Sequence, residues 1–284
     1  MNTTPETIRE RLLFLHSLPS MTHRLLTKLI TFDSTLQMPF ETNSTVPHHV
    51  QRELQTILQT SNWYTSLSLH TCTPVTILDD NYPPQLRHIP NPPFVLYTKG
   101  DLTLFLQPLL AVIGTRQPTS YGEQVCKTLV PPIVEQKVVI VSGGAYGIDR
   151  ASHETAIAAG GKTVAVLGSG FQHLYPKVHR PLFQKIATDH LLVSEYPPQT
   201  PPKRWNFPAR NRIVSGLSQA ICIIEAKRHS GTFSTVEHAL HQGRDVFVVP
   251  GSIFSAASVG PLELLAEGAQ PVVNKETLLE YFCR

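Results

Sequence analysis

From Leu109 onward the chain alternates short, uninterrupted apolar runs with longer segments whose apolar positions recur at helical spacing. The runs are LLAVI (109–113), VVIVS (138–142), TVAVLG (163–168), LLVSE (191–195), AICIIE (220–225), DVFVVP (245–250) and PVV (271–273). Strands that are apolar on both faces belong in a mostly parallel sheet covered by helices on each side. Segments such as GIDRASHETAIAAG (147–160) and TFSTVEHALHQG (232–243) have helical periodicity and end on glycine, which readily closes a helix. The alternation predicts an α/β fold with a doubly wound sheet that receives ligands outside the carboxyl ends of its strands.

The amino-terminal part has a different pattern. Ile8, Leu12, Leu13 and Leu15, then Leu25, Leu26, Leu29 and Ile30, then Val50, Leu54, Ile57 and Leu58 recur at helical spacing and predict a small all-α domain over residues 1–68. The turn LPSMT (18–22) lacks the glycine that would let a helical hairpin offer its amides to a phosphate, so this module is assigned to packing. Residues 69–108 read as a proline-rich connector wrapped on the main domain, 109–284, with one strand at Phe94–Tyr97.

Composition narrows the class. A chain of 284 residues with 41% hydrophobic content can bury a sizeable core. No apolar run reaches membrane-span length, and Glu6, Arg9, Glu10 and Arg11 occupy the place where a signal peptide needs an apolar centre, so a cytoplasmic protein is expected. Cys72, Cys126, Cys222 and Cys283 are far apart, with no CxxC pair and no zinc spacing among the histidines; they read as reduced structural thiols. The net charge of +3 is modest, but residues 1–110 hold 7 Lys or Arg against 8 Asp or Glu, and residues 111–284 hold 17 against 13. A localised positive face suits a nucleotide or a single nucleic-acid strand.

The candidate chemistry lies at the ends of the apolar runs. Arg116, at the turn after the first run (IGTR, 113–116), is aimed over the switch-point crevice as a phosphate ligand. Ser142, Gly143 and Gly147 form a strand-to-helix turn whose amides can approach an anion, and Gly168, Ser169 and Gly170 form another. Ser230, Gly231 and Thr232 open the helix after AICIIE and read as a further anion seat; no GxSxG elbow supports a nucleophile there. The stretch FPARNR (207–212) reads as a phosphate-gripping loop in which Arg210 and Arg212 flank Asn211, within a segment, Lys203 to Arg228, of six basic residues and one acid. Phe171, His173, Tyr175 and Lys177 mix rings and cations as single-strand tracks do, although rings also pack; Trp205 and Phe207 leave the same two readings open.

Three chemistries drop out. Gly160-Gly161-Lys162-Thr163 imitates a Walker A ending, but Ala156 stands where its first glycine belongs and the segment leaves a helix to enter a strand. Gly168-Ser169-Gly170 has no third glycine, so a dinucleotide fingerprint is absent. Asp149 and His153 lie one helical turn apart without a third ligand, so neither a metal nor any other cofactor is expected.

In order along the chain, ILDDNYPPQL, LYTKGDL, IGTR, SGGAYGIDRASH, GKTVAVLGSG with YPK, SEYPP, FPARNRIVSGL, EAKRHSGTFST, GRDVFVVPG and EGA resemble the DNA-processing protein A family of bacterial natural transformation. The resemblance runs from about Val75 to the carboxyl end. It implies an extended Rossmann-like domain after a sterile-alpha-motif-like helical module; the winged-helix tail that some members carry is not expected here. It also implies a non-enzymatic homodimer that binds and protects single-stranded DNA, with RecA recombinase and single-strand binding protein as partners. DNA contact would pass to Arg116, Lys177, Arg210, Asn211 and Arg212, with the amides of Ser142, Gly143, Gly168 to Gly170 and Ser230 to Thr232 lining the pocket. Thr115, Gly144 and Val259-Gly260-Pro261 depart from the family pattern. The competing reading is a nucleotide-processing phosphoribohydrolase, whose PGGxGTxxE signature supplies a glutamate. Here Glu237 falls two places late, about 200° around a helix.

Overall fold

The computed structural model describes residues 7–37, 44, 46–58, 71–228 and 230–283. Glu6 and residues 59–68 of the expected helical module lie outside the described residues. In chain order the elements are α1 (Ile8–Ser17), α2 (His23–Phe32), α3 (His48–Leu58), β1 (Thr73–Thr76), the one-turn α4 (Pro84–Arg87), β2 (Val95–Gly100), β3 (Leu109–Ile113), α5 (Ser120–Glu135), β4 (Val139–Ser142), α6 (Ile148–Ala158), β5 (Thr163–Leu167), α7 (Arg180–Asp189), β6 (Leu191–Ser194), α8 (Asn206–Leu217), β7 (Ala220–Ile223), α9 (Gly231–His241), β8 (Asp245–Val248), α10 (Val259–Ala266), β9 (Gln270–Pro271) and α11 (Glu276–Phe282).

One nine-stranded sheet runs in the order β1-β2-β6-β5-β4-β3-β7-β8-β9. The pairs from β6 through β9 are all parallel, and only β1–β2 and β2–β6 are antiparallel. This is the Rossmann-like α/β architecture that the apolar runs predict. Alternate residues of each strand serve opposite cores: Leu109, Ala111 and Ile113 of β3 join Ile213, Leu217 and Val236 on one face, and Leu110 and Val112 join Leu129, Ile133 and Ile148 on the other. A third cluster joins α1 and α2 to α7 and to the strands beside it through Leu13, Leu26, Tyr97, Ala165 and Phe183.

Two local readings change. The strand expected at Phe94–Tyr97 spans Val95–Gly100 and pairs with a second connector strand, β1, whose brevity and Pro74 conceal it in the sequence. FPARNR is no loop: it lies in α8, with Pro208 in the first turn, where its missing N–H costs nothing. Among the described residues no helix is long and apolar enough to cross a membrane, and no group of three or more His, Cys, Asp or Glu residues could hold a metal.

Two histidines, half-buried His16 and buried His153, tie the packing to pH. His16 Nδ1 lies 3.1 Å from the Tyr97 hydroxyl, and His153 Nδ1 lies 2.7 Å from Thr163 Oγ1. Burial pulls their pKa values from 6.5 to about 4 and about 3, with Glu195 opposing the shift at His16. Both folded values are depressed, so the unfolded chain takes up these protons first. Stability is full above pH 6.5 and is lost as pH falls toward 4 and 3. Urea unfolding at pH 5 should return a free energy lower than at pH 7 by on the order of 3 kcal/mol. A flat profile between those values counts against neutral burial.

Candidate functional site

The carboxyl ends of β4, β3 and β7 open into a cleft of about 980 Å³. The strand order reverses at β3, so the turns after β3 and β7 part there and leave the crevice in which doubly wound sheets bind ligands. Arg116 stands exposed on the turn after β3 and lines this cleft. Glu225, at the end of β7, fixes that turn twice. Its carbonyl accepts Thr115 N–H at 2.6 Å, and its buried carboxylate accepts Thr119 N–H at 2.9 Å and the Thr119 hydroxyl at 2.6 Å. From the other side Ile148 N–H donates to Thr115 O at 3.1 Å. That approach is possible because Gly147, at φ +77°, has no Cβ to strike Thr115 O and the backbone of Arg116.

The amino end of α9 forms the facing wall. Ser230, its N-cap, makes no side-chain capping bond, and its hydroxyl oxygen is buried without a partner among the described residues. Thr232 Oγ1 donates to Gly114 O at 3.3 Å and ties this wall to the β3 turn. The first amides of α9, Gly231 and the unused Ser230 hydroxyl therefore offer donors to an anion in the cleft. Asn211, from α8, completes this side.

Arg210 lies deeper. It is 4% exposed, and its guanidinium donates to Gly143 O at 2.5 Å and to Val166 O. A Cβ on Gly143 would collide with that guanidinium, so this glycine seats an arginine under the turn. Burial pulls the Arg210 pKa down while Asp149 pushes it up; burial raises the Asp149 carboxyl, with Arg210 opposing. The two groups share the cleft's lower wall.

The other expected ligands are elsewhere. Arg212 points away from the cleft and makes a two-pronged ion pair with Glu195, at 2.8 and 2.5 Å, while its Nε donates to Asn91 O at 3.0 Å. The physical reason is helical phase: residues two apart on a helix differ by about 200°, so Arg210 and Arg212 face opposite sides of α8. Gly168 is covered by the Phe207 ring, and a Cβ on Gly170 would strike the carbonyls of Pro197 and Pro198. Gly170 N–H is engaged by Thr200 O at 2.9 Å, and Ser169 Oγ by His173 O at 2.7 Å. Ser142 is buried, its hydroxyl donating to Val112 O at 2.7 Å. Lys177 is exposed just beyond the lining, two residues after Tyr175, which belongs to it. Glu237 is exposed on α9 and does not line the cleft.

The cleft also holds residues that motif reading missed: Arg204, Lys227 and Tyr146. Lys227 follows the end of β7 as Arg116 follows β3, so the strand-end rule that finds one could have found the other. Arg204 stands on the approach to α8, in the basic segment but outside any motif.

Fold and cleft together define the class: a Rossmann-like α/β protein whose crevice presents cations and an open helix end to an anion. The chain belongs to the DNA recombination-mediator protein A family, whose model matches residues 73–283. It is 44% identical over 207 residues to the DNA processing protein DprA of Bacillus subtilis (72% of this chain, 70% of that one) and 43% identical over 207 residues to that of Streptococcus pneumoniae (73% of each). The crystal structure of the Streptococcus pneumoniae protein superposes with a TM-score of 0.86 at 34% identity, covering 98% of both chains. DNA processing protein A from Helicobacter pylori, whose single-stranded DNA binding mode has been described, superposes with a TM-score of 0.68 at 32% identity, covering 74% of this chain and 96% of that one.

Proposed function

We propose that the cleft binds single-stranded DNA without reading its sequence, and that the protein is a mediator that shields an incoming strand and loads RecA recombinase onto it. The observation that carries this reading is the pairing, in one cleft, of exposed Arg116 with the uncapped amino end of α9. Around them the described lining has four cations, Arg116, Arg204, Arg210 and Lys227, against the single acid Asp149. Exposed side chains and helix amides suit phosphates, which every sequence supplies; the rings of Tyr146, Tyr175 and Phe207 suit bases of any kind. Family membership supports the mediator role, and the Helicobacter pylori relative supports an unpaired strand as the ligand. Homodimerisation, contact with single-strand binding protein, a cytoplasmic setting and the lack of any bond-breaking step belong to the same reading.

Fluorescence anisotropy with labelled oligo-dT tests it. Arg116→Ala should weaken binding roughly tenfold, the cost of one charge-assisted phosphate contact, and adding Lys177→Ala should weaken it further. The slope of log affinity against log salt should shrink by about 0.7 for each phosphate that the variant no longer neutralises. A double variant that binds as the wild type does removes the cleft from consideration.

A further inference from the structure

The approach to α8 leaves a large ring in water that the cleft does not use. Trp205 is 70% exposed, while its neighbours Arg204 and Phe207 line the cleft. Lys203 Nζ stands 5.6 Å from the centre of the indole. On the cleft side, Tyr175 is 43% exposed and its ring lies 5.6 Å from that of Phe207, tilted by 57°. Rings and cations therefore interleave at this lip, with Lys203, Arg204 and Lys177 all exposed. No Asp or Glu occurs from Tyr196 through Ile224.

An exposed tryptophan can be covered by an apolar protein surface or by a flat polar ring. The charges decide between them. An apolar partner would have to bury or displace Lys203 and Arg204, whereas a nucleotide brings a ring for the indole and a phosphate for the cations. Asn206, the next residue, is already engaged: its side-chain amide donates to Gly168 O at 3.0 Å, which fixes the start of α8 and with it the place of Trp205.

We propose that Trp205 is a base-stacking contact just outside the cleft, used by the nucleotide that leaves it past Arg204. The base lies on the indole, and Lys203 and Arg204 meet the phosphate on either side of it. This rests on the cleft being a single-strand site, and it fixes one end of the strand's path: out over the lip at the ends of β5 and β6, away from α9.

Intrinsic fluorescence tests it directly. The chain has two tryptophans, Trp63 and Trp205, so a loss of emission on saturation with oligo-dT that the wild type shows and Trp205→Phe does not belongs to Trp205. That loss is expected, together with roughly fivefold weaker binding by Trp205→Ala. An oligonucleotide without bases should bind the wild type and Trp205→Ala equally. If Trp205→Ala matches the wild type on oligo-dT and emission is unchanged at saturation, while Arg116→Ala still loses affinity, the stacking contact is wrong and the cleft reading survives. If Arg116→Ala also binds in full, the cleft reading falls, and this inference with it.

Discussion

Arg212→Ala should cost roughly 3 to 5 kcal/mol of unfolding free energy, because it strands the Glu195 carboxylate in a buried site. In the wild type, burial pushes the Glu195 pKa up, but the charge and hydrogen bonds of Arg212 outweigh it and hold the group below its ordinary 4.5. A depressed carboxylate contributes stability above its unfolded value, and that contribution is lost as pH falls through the folded one. The variant should therefore lose both the stability and its dependence on acid below about pH 4.5. Urea unfolding across pH measures both. Replacing the two partners together, by Glu195→Leu and Arg212→Met, should recover most of the loss, since well-packed apolar groups often substitute for a buried pair. A cost near zero for Arg212→Ala would mean that the pair is not sealed from water. Arg116→Ala gives the opposite pattern: weakened DNA binding with stability almost unchanged, as expected for an exposed side chain.

Gly147→Ala is the second large effect. At φ +77° an alanine costs about 1 kcal/mol for the backbone alone. The added Cβ would also strike Thr115 O and come within 2.7 Å of the Arg116 carbonyl carbon, backbone atoms that cannot rotate aside. The total should reach about 3 kcal/mol. The turn carrying Arg116 must shift to make room, so oligo-dT affinity should drop even at temperatures where the variant stays folded. Gly160 is the control for positive φ, at +76° with nothing within 4 Å of a built Cβ. Gly160→Ala should cost only the backbone amount and leave binding intact. Calorimetry and anisotropy on the pair separate strain from collision, and equal costs would sink the account.

The contrast between these glycines marks the limit of sequence reading. Apolar runs at 109–113 and 163–168 become β3 and β5 almost residue for residue, because strands covered on both faces leave an unbroken hydrophobic signature. From that order of elements the switch-point crevice follows, and with it Arg116 and the Ser230 turn. What packs on a turn does not follow. Gly168 and Gly170 read as open phosphate seats, yet the Phe207 ring and the Pro197–Pro198 carbonyls fill that space from far along the chain. Gly143 similarly makes room for Arg210. FPARNR misleads for a different reason: proline suggests a loop, but in the first helical turn it is tolerated, and the resulting phase sends Arg210 and Arg212 to opposite sides. Glu225 escapes motif reading because its role depends on a contact with Thr119 across 106 positions of sequence.

The antiparallel pairing of β2 with β6 bears on how this protein can be divided. The proline-rich stretch, expected to wrap on the main domain, supplies the two strands at one side of its sheet, and the family match also begins at residue 73, where β1 starts. Trimming the chain back to the first βα repeat would strip β6 of its neighbour and leave a row of bare amides and carbonyls ready to recruit another molecule. The smallest self-sufficient piece is therefore one that keeps its own hem.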